Sequence, residues 1–409
     1  MLEGKSILLG ISGGIAAYKA AELTRLLTKA GAVVQVVMTA NAQKFITPLT
    51  LQVLSGQPVC TDLFDLGIES QIGHIQVARA AQLVVLAPAT ADLMAKMAAG
   101  IADDYLTTVL LATTAPVLVC PAMNSKMYEH PATTRNLKIL KELGYHVLDP
   151  ECGTLACKEE GIGRLADPPV IVEAVRRLMT PPGLAGKRVL VSAGPTWEPF
   201  DPVRFISNPS SGKMGYALAA MASRRSAEVY LISGPTSQPA PPGVHLRSVT
   251  TAREMKEAVE ELSGRMDAII MAAAVGDYRP LQTAPQKIKK VAGELTITLV
   301  KNPDILAHLG RSKPASHRQV LVGFAAETEN LIENATEKLV QKNLDFIVAN
   351  NLTQSGSGFG TDTNQVKIID RDGAITELPF MTKMEVAERI LDRVELLLAD
   401  GSADGKQDQ

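Results

Sequence analysis

The sequence predicts an α/β protein of two Rossmann-like, three-layer domains with mostly parallel sheets, and two observations support this fold class. Short apolar runs alternate with amphipathic stretches along the chain, which is typical of parallel strands covered by helices on both faces. The chain also begins twice, because LEGKSILLGI at residues 2–11 and LAGKRVLV at residues 184–191 are both basic-flanked apolar runs that lead into a glycine-containing turn. The second half therefore repeats the architecture of the first.

Composition limits the classes of partner. The 409 residues suggest two or three domains. A formal net charge of −2 and an aromatic content of only 4% argue against nucleic acid or a membrane surface as a partner. The longest apolar runs, Leu83–Ala89 and Val117–Ala122, are too short to span a bilayer. We expect a cytoplasmic protein without a signal peptide.

The cysteines form no recognisable framework. Cys60, Cys120, Cys152 and Cys157 include no CxxC pair, so structural disulfides and a cysteine zinc site are not expected. Any one of them that has a role would act as a thiol.

A linker divides the chain. Thr180-Pro-Pro-Gly183 stands immediately before the second start, and such a sequence favours a turn or loop. We predict domains at residues 1–183 and 184–400. Residues 401–409 are small and polar, and they are predicted to be a disordered tail.

Both halves alternate predicted strands with helices. In the first half the strands are Ser6–Ile11, Val33–Met38, Leu83–Ala87, Val117–Cys120 and Tyr145–Leu148. In the second half they are Arg188–Ala193, Glu228–Ser233, Asp267–Ala272, Gln319–Ala325 and Asp345–Ala349. The alternation of Leu295, Ile297 and Leu299 predicts an inserted β-ribbon between Lys287 and Val300. The last helix is predicted from an apolar stripe of Ala387, Ile390, Leu391, Val394 and Leu398.

The first strand leads into a candidate anion site. Ser12, Gly13 and Gly14 stand where a helix begins, and the free amides and dipole of a helix start favour a phosphate. No acidic residue follows the second strand to hold a ribose diol, and that strand ends at Thr39, whose hydroxyl suits a monophosphate. The pattern favours FMN over NAD, although a tight turn without a ligand would have the same sequence.

Further candidates follow the other strands of the first half, where ligands of such sheets bind. Pro88, Ala89 and Thr90 allow close approach of a flat ring. Asn124, followed by Met127, could hold a carboxylate or cap a helix. His74, in Gly73-His74-Ile75, has no other histidine near it in the sequence. A lone histidine is more often structural than catalytic. Cys157 stands between glycines, which suggests a flap that carries either a proton donor or an incidental thiol.

The second half has strand-end polar clusters of its own. Ser210-Ser-Gly-Lys213 is not a phosphate-binding Walker A loop, because that motif requires glycine at the position of Ser207. We interpret it as a polar loop that caps a helix predicted at Lys213–Arg225. Arg204 and Asn208 precede it.

Basic residues around this edge predict a nucleoside triphosphate. Lys287 opens the ribbon, and Pro303 suggests a helix start that would be a second anion site. Lys338 and Lys342 are four residues apart, so they repel each other unless a polyanion lies between them. Ala272–Ala274, Asp277 and Phe324 complete the strand ends.

The joint pattern of the first half resembles a known family. SGGIAAYK, GHI, PATAD, PAMNSKMYEHP and ACKEEGIGR, in that order, are similar to the FMN-dependent peptidyl-cysteine and phosphopantothenoylcysteine decarboxylases over residues 1–180. The resemblance implies a flavodoxin-like FMN-binding domain that oxidises a cysteinyl thiol, releases CO2 and reduces the enethiol. It implies His74 as base, Asn124 and Met127 as substrate ligands and Cys157 as proton donor. Lys158 stands where this family usually has glycine.

The second half resembles phosphopantothenate–cysteine ligase over residues 186–398, through DPVRFISNPSSGKMG, AAAVGDYRP, KIKK, KNPDIL and GFAAET. The resemblance implies an acyl-cytidylate made from CTP with Mg²⁺, which cysteine's amine then cleaves. Lys287 would stabilise the phosphate charge, and Arg204 and Asn208 would hold the acyl intermediate. The residues implied to bind CTP are Ala272, Ala273, Ala274, Asp277, Lys287, Pro303, Asp304, Ile305, Leu306, Phe324, Lys338 and Lys342.

The fusion of both halves matches a bifunctional bacterial enzyme that forms trimers through its flavin domain and dimers through its ligase domain, giving assemblies up to a dodecamer. Two departures stand in the ligase half: Gly276 where alanine is usual and Trp197 where arginine is common. A nicotinamide oxidoreductase would need the missing ribose-binding acid. A non-catalytic flavin-binding subunit would lack His74 or Cys157, and both are present.

Overall fold

A computed structural model describes residues 2–63, 73–154, 159–289, 294–314, 317–327, 329–351 and 360–403. The chain forms two compact units, Met1–Pro181 and Pro182–Gln409. Each is an α/β unit with strands and helices interleaved, so the predicted fold class is confirmed. In the part of the chain that is described, no helix is both long and apolar enough to cross a membrane.

The first unit contains a parallel sheet of order β2-β1-β3-β4-β5. Its strands are β1 (Ser6–Ile11), β2 (Val33–Met38), β3 (Leu83–Ala89), β4 (Val117–Pro121) and β5 (His146–Val147), and a separate antiparallel hairpin consists of β6 (Glu151–Thr154) and β7 (Glu160–Arg164). Its helices are α1 (Lys19–Lys29), α2 (Pro48–Ser55), α3 (Gly73–Ala80), α4 (Ala91–Ala99), α5 (Tyr105–Ala112), α6 (Ser125–Glu129), α7 (Pro131–Glu142) and α8 (Pro168–Met179), with 3₁₀ turns at Ile15–Tyr18 and Ala42–Lys44.

The second unit has a sheet of order β12-β11-β8-β13-β16-β17-β19-β20, parallel except at β19 and β20. Its strands are β8 (Arg188–Ala193), β9 (Trp197–Pro199), β10 (Phe205–Ser207), β11 (Glu228–Ser233), β12 (Val244–Ser248), β13 (Ala268–Met271), β14 (Tyr278–Pro280), β15 (Leu299–Lys301), β16 (Val320–Glu327), β17 (Phe346–Asn351), β18 (Thr363–Asn364), β19 (Val366–Asp370), β20 (Ile375–Glu377) and β21 (Met381–Thr382). Its helices are α9 (Lys213–Arg224), α10 (Ala252–Ser263), α11 (Ile305–Arg311), α12 (Leu331–Gln341) and α13 (Lys383–Ala403).

Alternating side chains of the central strands fill a core on each face of the sheet. In β1, Ile7 and Leu9 belong to one cluster of buried residues, and Leu8 belongs to another. In β8, Val191 and Leu190 are divided between two clusters in the same way. Each sheet therefore lies between two helical layers. The predicted stripe of α13, from Ala387 to Leu398, is buried against one of these cores.

Several predicted boundaries are wrong. Strand β3 continues to Ala89, through a cis Ala87–Pro88 peptide and a shift of register against β4. Among the described residues the ribbon pairs β14 with β15 only, and Lys287 lies outside both strands. The loop before α9 supplies no side-chain cap, because Gly212 occupies the N-cap in the left-handed region.

The predicted disordered tail begins too early. Helix α13 includes residues 401–403, and residues 404–409 lie outside the described part. Adding a residue to an existing helix is favourable compared with starting one, so a long packed helix carries a few small polar residues past its last buried turn.

Candidate functional sites

The first unit has a cavity of about 680 Å³ at the carboxyl ends of β1, β3 and β4, a size common for small-molecule sites. It brings together five of the predicted residues: Gly13, Gly14, Thr90, Asn124 and Met127. Chain segments far apart in sequence meet here, because parallel strands deliver their following loops to one edge. The walls also include Lys19 and Arg164, which the sequence analysis did not identify.

The loop after β1 is closely packed. A Cβ on Gly13 would lie 2.3 Å from the Cβ of Asn41, so only glycine fits there. Ser12 is buried, and its hydroxyl donates to the carbonyl of Pro88 at 2.7 Å and accepts from the Thr90 amide at 2.9 Å. Ser12 thus joins the loop after β1 to the loop after β3, and both loops contribute residues to the cavity wall. The glycine loop provides the cradle that a flavin would need.

Other predicted residues do not line this cavity. Ser12, Thr39, Pro88 and Ala89 lie outside its wall, as does His74, the second residue of α3. The hydroxyl of Thr39 accepts a hydrogen bond from the Ala42 amide at 3.2 Å. Cys157 and Lys158 lie outside the described residues. Strands β6 and β7 stand on either side of these positions in the sequence, and the flap stays a prediction.

Asn124 caps a helix, which is one of the two roles that its sequence position suggests, and its amide contacts a carboxylate of the chain itself. Its Oδ1 accepts from the Lys126 amide at 2.9 Å, which caps α6. Its Nδ2 donates to a carboxylate oxygen of Glu159 at 3.3 Å, next to the cavity. The helix cap uses Oδ1 and the contact with Glu159 uses Nδ2. The cap therefore fixes the Asn124 side chain while its amide nitrogen can still donate to a carboxylate.

Lys19 and Arg164 share one carboxylate at the cavity wall. Lys19 Nζ lies 2.8 Å and Arg164 Nη2 lies 2.9 Å from Oδ1 of Asp167. The hydrogen bond from Lys19, more than that from Arg164, lowers the pKa of Asp167. Lys19 and Arg164 line the cavity, whereas the carboxylates of Asp167 and Glu159 do not, and cations in the wall suit an anionic ligand. This ion pair could not be predicted from a local motif, because Lys19 and Asp167 are 148 residues apart in the sequence.

Substitution of Gly13 tests the close packing of this loop. We expect Gly13→Ala to lower the free energy of unfolding by about 1–3 kcal/mol, because the added methyl must displace Asn41. Gly14→Ala is the matched control, since its methyl would meet only Thr90 Cγ2 at 3.5 Å, an ordinary contact. Denaturant unfolding measures both variants, and equal stabilities would contradict the packing argument.

The second unit has a cavity of about 610 Å³ beyond β13 and β16. Nine predicted nucleotide-binding residues line it: Ala273, Asp277, Pro303, Asp304, Ile305, Leu306, Phe324, Lys338 and Lys342. Most follow the carboxyl ends of strands or begin α11. Residues that were predicted from separate motifs therefore form most of the wall of one cavity.

The start of α11 was predicted to be an anion site with Pro303 in the first turn; Pro303 instead lies before the helix, and the anion site stays a prediction. The helix begins at Ile305, and its N-cap Asp304 accepts from the Ala307 amide at 2.9 Å. Asp304 also lies 3.0 Å from Lys342 Nζ. Burial alone would raise the pKa of Asp304, but the bonds from Ala307 and Lys342 outweigh it and the pKa is lowered. A carboxylate of the chain itself occupies this helix start and offsets the charge of Lys342.

A neighbouring cavity of about 390 Å³ contains the remaining strand-end residues. Asn208, Ala272 and Ala274 line it, and Ala273, Val275 and Phe324 belong to both cavities. Asn208 Nδ2 donates to the carbonyls of Ala274 and Val275 at 3.3 and 3.2 Å. Asn208 thus stands where the two cavities meet.

Two lysines that the sequence analysis did not select line this neighbouring cavity. Lys213 Nζ contacts Asp362 at 2.6 Å, and Lys383 is buried, with Nζ donating to Thr361 O at 2.6 Å. Burial, and then repulsion from Lys213, lower the pKa of Lys383. Asn350 Oδ1 is buried here with no hydrogen-bond partner among the described residues. These groups fit a polar, anionic ligand.

Arg204 and Lys287 line none of these cavities. Arg204 forms a two-point ion pair with the buried carboxylate of Asp201, at 2.5 and 2.9 Å. Trp197, at the position of a common arginine, stacks on Phe205 with ring centroids 4.1 Å apart. No group of three or more histidine, cysteine, aspartate or glutamate residues in the described part forms a metal cluster.

Comparisons with known proteins agree with this division into two α/β units. The family described as "Flavoprotein" matches residues 1–180, and the family described as "DNA/pantothenate metabolism flavoprotein C-terminal domain" matches residues 184–397. The fold and these matches define a two-part flavoprotein.

Curated relatives identify the family. The coenzyme A biosynthesis bifunctional protein CoaBC of Vibrio cholerae is 49% identical over 392 residues, covering 95% of this chain and 98% of that protein. CoaBC of Escherichia coli K12 is 49% identical over 397 residues, with 96% and 97% covered, and that of Bacillus subtilis is 47% identical over 401 residues, with 97% and 98% covered. A solved C-terminal domain of CoaBC is 44% identical, with TM-score 0.46, and covers 53% of this chain and 98% of its own. The chain belongs to the CoaBC family, and it is a bifunctional enzyme of coenzyme A biosynthesis with decarboxylase and ligase activities.

Proposed function

We propose that the second unit joins cysteine to 4′-phosphopantothenate through an acyl-cytidylate made from CTP, and that the first unit decarboxylates the resulting phosphopantothenoylcysteine to 4′-phosphopantetheine with FMN. The observation that carries the proposal is the cavity at the carboxyl edge of each sheet, lined by the motif residues of the corresponding activity. These reactions are consecutive, because the product of the ligase is the substrate of the decarboxylase.

In the first unit, Gly13, Gly14 and Thr90 would hold FMN, and Ser12 supports their loops. FMN supplies the reversible two-electron chemistry that lets the cysteinyl carboxylate leave as CO2. Asn124 Nδ2 would bind that carboxylate in place of Glu159, and Met127 would pack against the substrate. His74 would remove a proton at the start of the reaction, and Cys157 would return one at its end.

In the second unit, the larger cavity would hold the nucleotide and the neighbouring one the acyl group. Asn208, at their junction, would bind the acyl-phosphate that links the two. Lys287 would stabilise the charge that develops as the pantothenate carboxylate attacks the α-phosphate and pyrophosphate leaves. Mg²⁺ would bind mainly through the nucleotide's phosphates, with Asp277 as a nearby carboxylate.

The predicted assembly belongs to the same proposal. Ile15, Tyr18 and Met127 line the first cavity yet are 59%, 60% and 50% exposed. Apolar side chains at an open cavity mouth suit a site completed by another subunit. We propose trimers through the first unit and dimers through the second, in the cytoplasm.

The test uses the purified full chain. Its absorption spectrum is recorded first, and it is then given CTP, 4′-phosphopantothenate and cysteine, with product mass analysis. We expect a flavin spectrum and the products 4′-phosphopantetheine, CMP, pyrophosphate and CO2. A colourless protein that binds no added FMN would overturn the decarboxylase proposal, and equal turnover with ATP would overturn the choice of CTP.

A further inference from the structure

The segment that carries Lys287 is held by the turn between β9 and β10. Lys287 itself is exposed and lies outside every strand. Ahead of it, Thr283 Oγ1 donates to the carbonyl of Pro199 at 2.9 Å, and the Ala284 amide donates to the carbonyl of Phe200 at 3.0 Å. The position of Lys287 therefore depends on a turn more than 80 residues earlier in the chain.

The same turn holds Ile288, the residue immediately after Lys287. The Ile288 amide donates to Oδ2 of Asp201 at 3.2 Å, and Arg204 Nη2 donates to the Ile288 carbonyl at 2.9 Å. Both backbone groups of Ile288 are thus bound by one ion pair.

Asp201 is the centre of this arrangement. Its side chain is fully buried. Oδ1 accepts from the amides of Val203 and Arg204, both at 2.8 Å, and Oδ2 accepts from Arg204 Nε and Nη2 and from the Ile288 amide. Five donors satisfy one carboxylate. Such a group fixes the rotamer of Arg204 and the backbone of residue 288 together.

We propose that Asp201 is a positioning residue of the ligase: by binding Arg204 and the Ile288 amide, it sets the place from which Lys287 and Arg204 reach the reacting acyl-phosphate. This inference rests on the proposed ligase function and extends it to a residue with no contact to substrate. Charge supports it. The hydrogen bond from Arg204 is the largest cause that lowers the pKa of Asp201, and it and the backbone donors outweigh burial. The pKa of the Asp201 carboxyl is therefore held below its usual range, so the group is ionised near neutral pH.

Asp201→Asn tests the proposal, because it keeps the shape of the side chain and removes its charge. We expect kcat for ligation to fall roughly 10–100-fold, since misplacement of a catalytic group by about 1 Å has effects of this size. The KM for CTP should stay within about threefold of the wild type, because none of these residues lines the nucleotide cavity. Decarboxylation of supplied phosphopantothenoylcysteine should be unchanged.

Asp345→Asn is the matched control. Asp345 is also a buried aspartate of the second unit, and it binds Lys313 and the Leu321 amide, both at 2.7 Å, at the opposite end of the sheet. We expect this variant to lose thermal stability while keeping the wild-type kcat. If both variants lose kcat in proportion to stability, the role of Asp201 is only structural and the proposal fails.

A double-mutant cycle with Lys287→Gln decides between positioning and general destabilisation. If Asp201 acts through Lys287, Asp201→Asn should cost much less activity in the Lys287→Gln background than alone. Equal fold-losses in both backgrounds, or a single-variant kcat within twofold of wild type, would overturn the proposal. Should Asp201→Asn fail to bind CTP through misfolding, the cycle is repeated with Asp201→Glu, for which the same outcomes apply. A wild type that makes no acyl-cytidylate would refute the ligase proposal instead.

Discussion

His74→Asn is expected to lose decarboxylation by about 10²–10⁴-fold, the usual contribution of a positioned acid or base, and to keep ligation. Asparagine preserves the approximate size and a hydrogen-bonding amide but cannot take up a proton near neutral pH. The measurement is CO2 release from supplied phosphopantothenoylcysteine, alongside formation of that compound from CTP, 4′-phosphopantothenate and cysteine. His74 does not line the first cavity of the described structure, so this result would decide its role.

His146→Asn is the matched control for that experiment. His146 is an exposed histidine of the same unit, on β5, and its replacement should change neither activity. Unchanged decarboxylation in His74→Asn would remove His74 from the mechanism. Loss of both activities would contradict the assignment of one activity to each unit.

Lys287→Gln is expected to lower ligation by about 10²–10³-fold, the effect of removing one group that stabilises transition-state charge. Glutamine keeps a hydrogen-bond donor of similar reach but lacks the positive charge. Decarboxylation of supplied phosphopantothenoylcysteine should continue at the wild-type rate. Coupled measurement of CMP release and CO2 release separates the two activities in one sample.

Lys289→Gln is the control for the basic run, because Lys289 is also exposed and is two residues away. It should retain most of the ligase activity. A similar loss in both variants would indicate a general electrostatic field around this segment, and wild-type ligation in Lys287→Gln would exclude Lys287 from the site.

Buried parallel strands were the most predictable part of the fold. The bounds of β1, β2, β8 and β11 match those expected from continuous apolar runs. The predicted third strand ended at Ala87, whereas β3 continues through Pro88 with a shifted register, although proline is normally excluded from central strands. The ribbon was overextended since alternating residues predict a strand only where a partner strand is available.

The site was predictable where sequence position determines location. Residues directly after parallel strands gather at one edge, which is why Gly13, Thr90 and Asn124 meet, as do Ala273 and Asp277. Side-chain partners were not predictable in the same way. Asp304 was predicted to bind the nucleotide, but its cap of α11 and its ion pair with Lys342 could not be predicted from the sequence.

Long-range partners were missed altogether. Lys383 follows Lys213 by 170 positions, and neither stands in a motif that predicts the other. Their approach depends on how α13 packs on α9, which no local pattern encodes. For the same reason, the hydrogen bond from the Ile288 amide to Asp201 could not be predicted from the sequence.

The spacing of contacts around the first cavity has a consequence for the order in which the newly made chain acquires its parts. Ser12 bonds to Pro88 and to the Thr90 amide, and Lys19 bonds to Asp167. On the ribosome, where the N-terminal domain of a chain folds first, Ser12 in the glycine loop must wait 76 residues for Pro88, and Lys19 in α1 must wait 148 residues for Asp167. The wall of the first cavity, which includes Arg164 and Leu165, is therefore complete only when nearly all of the first unit has been synthesised.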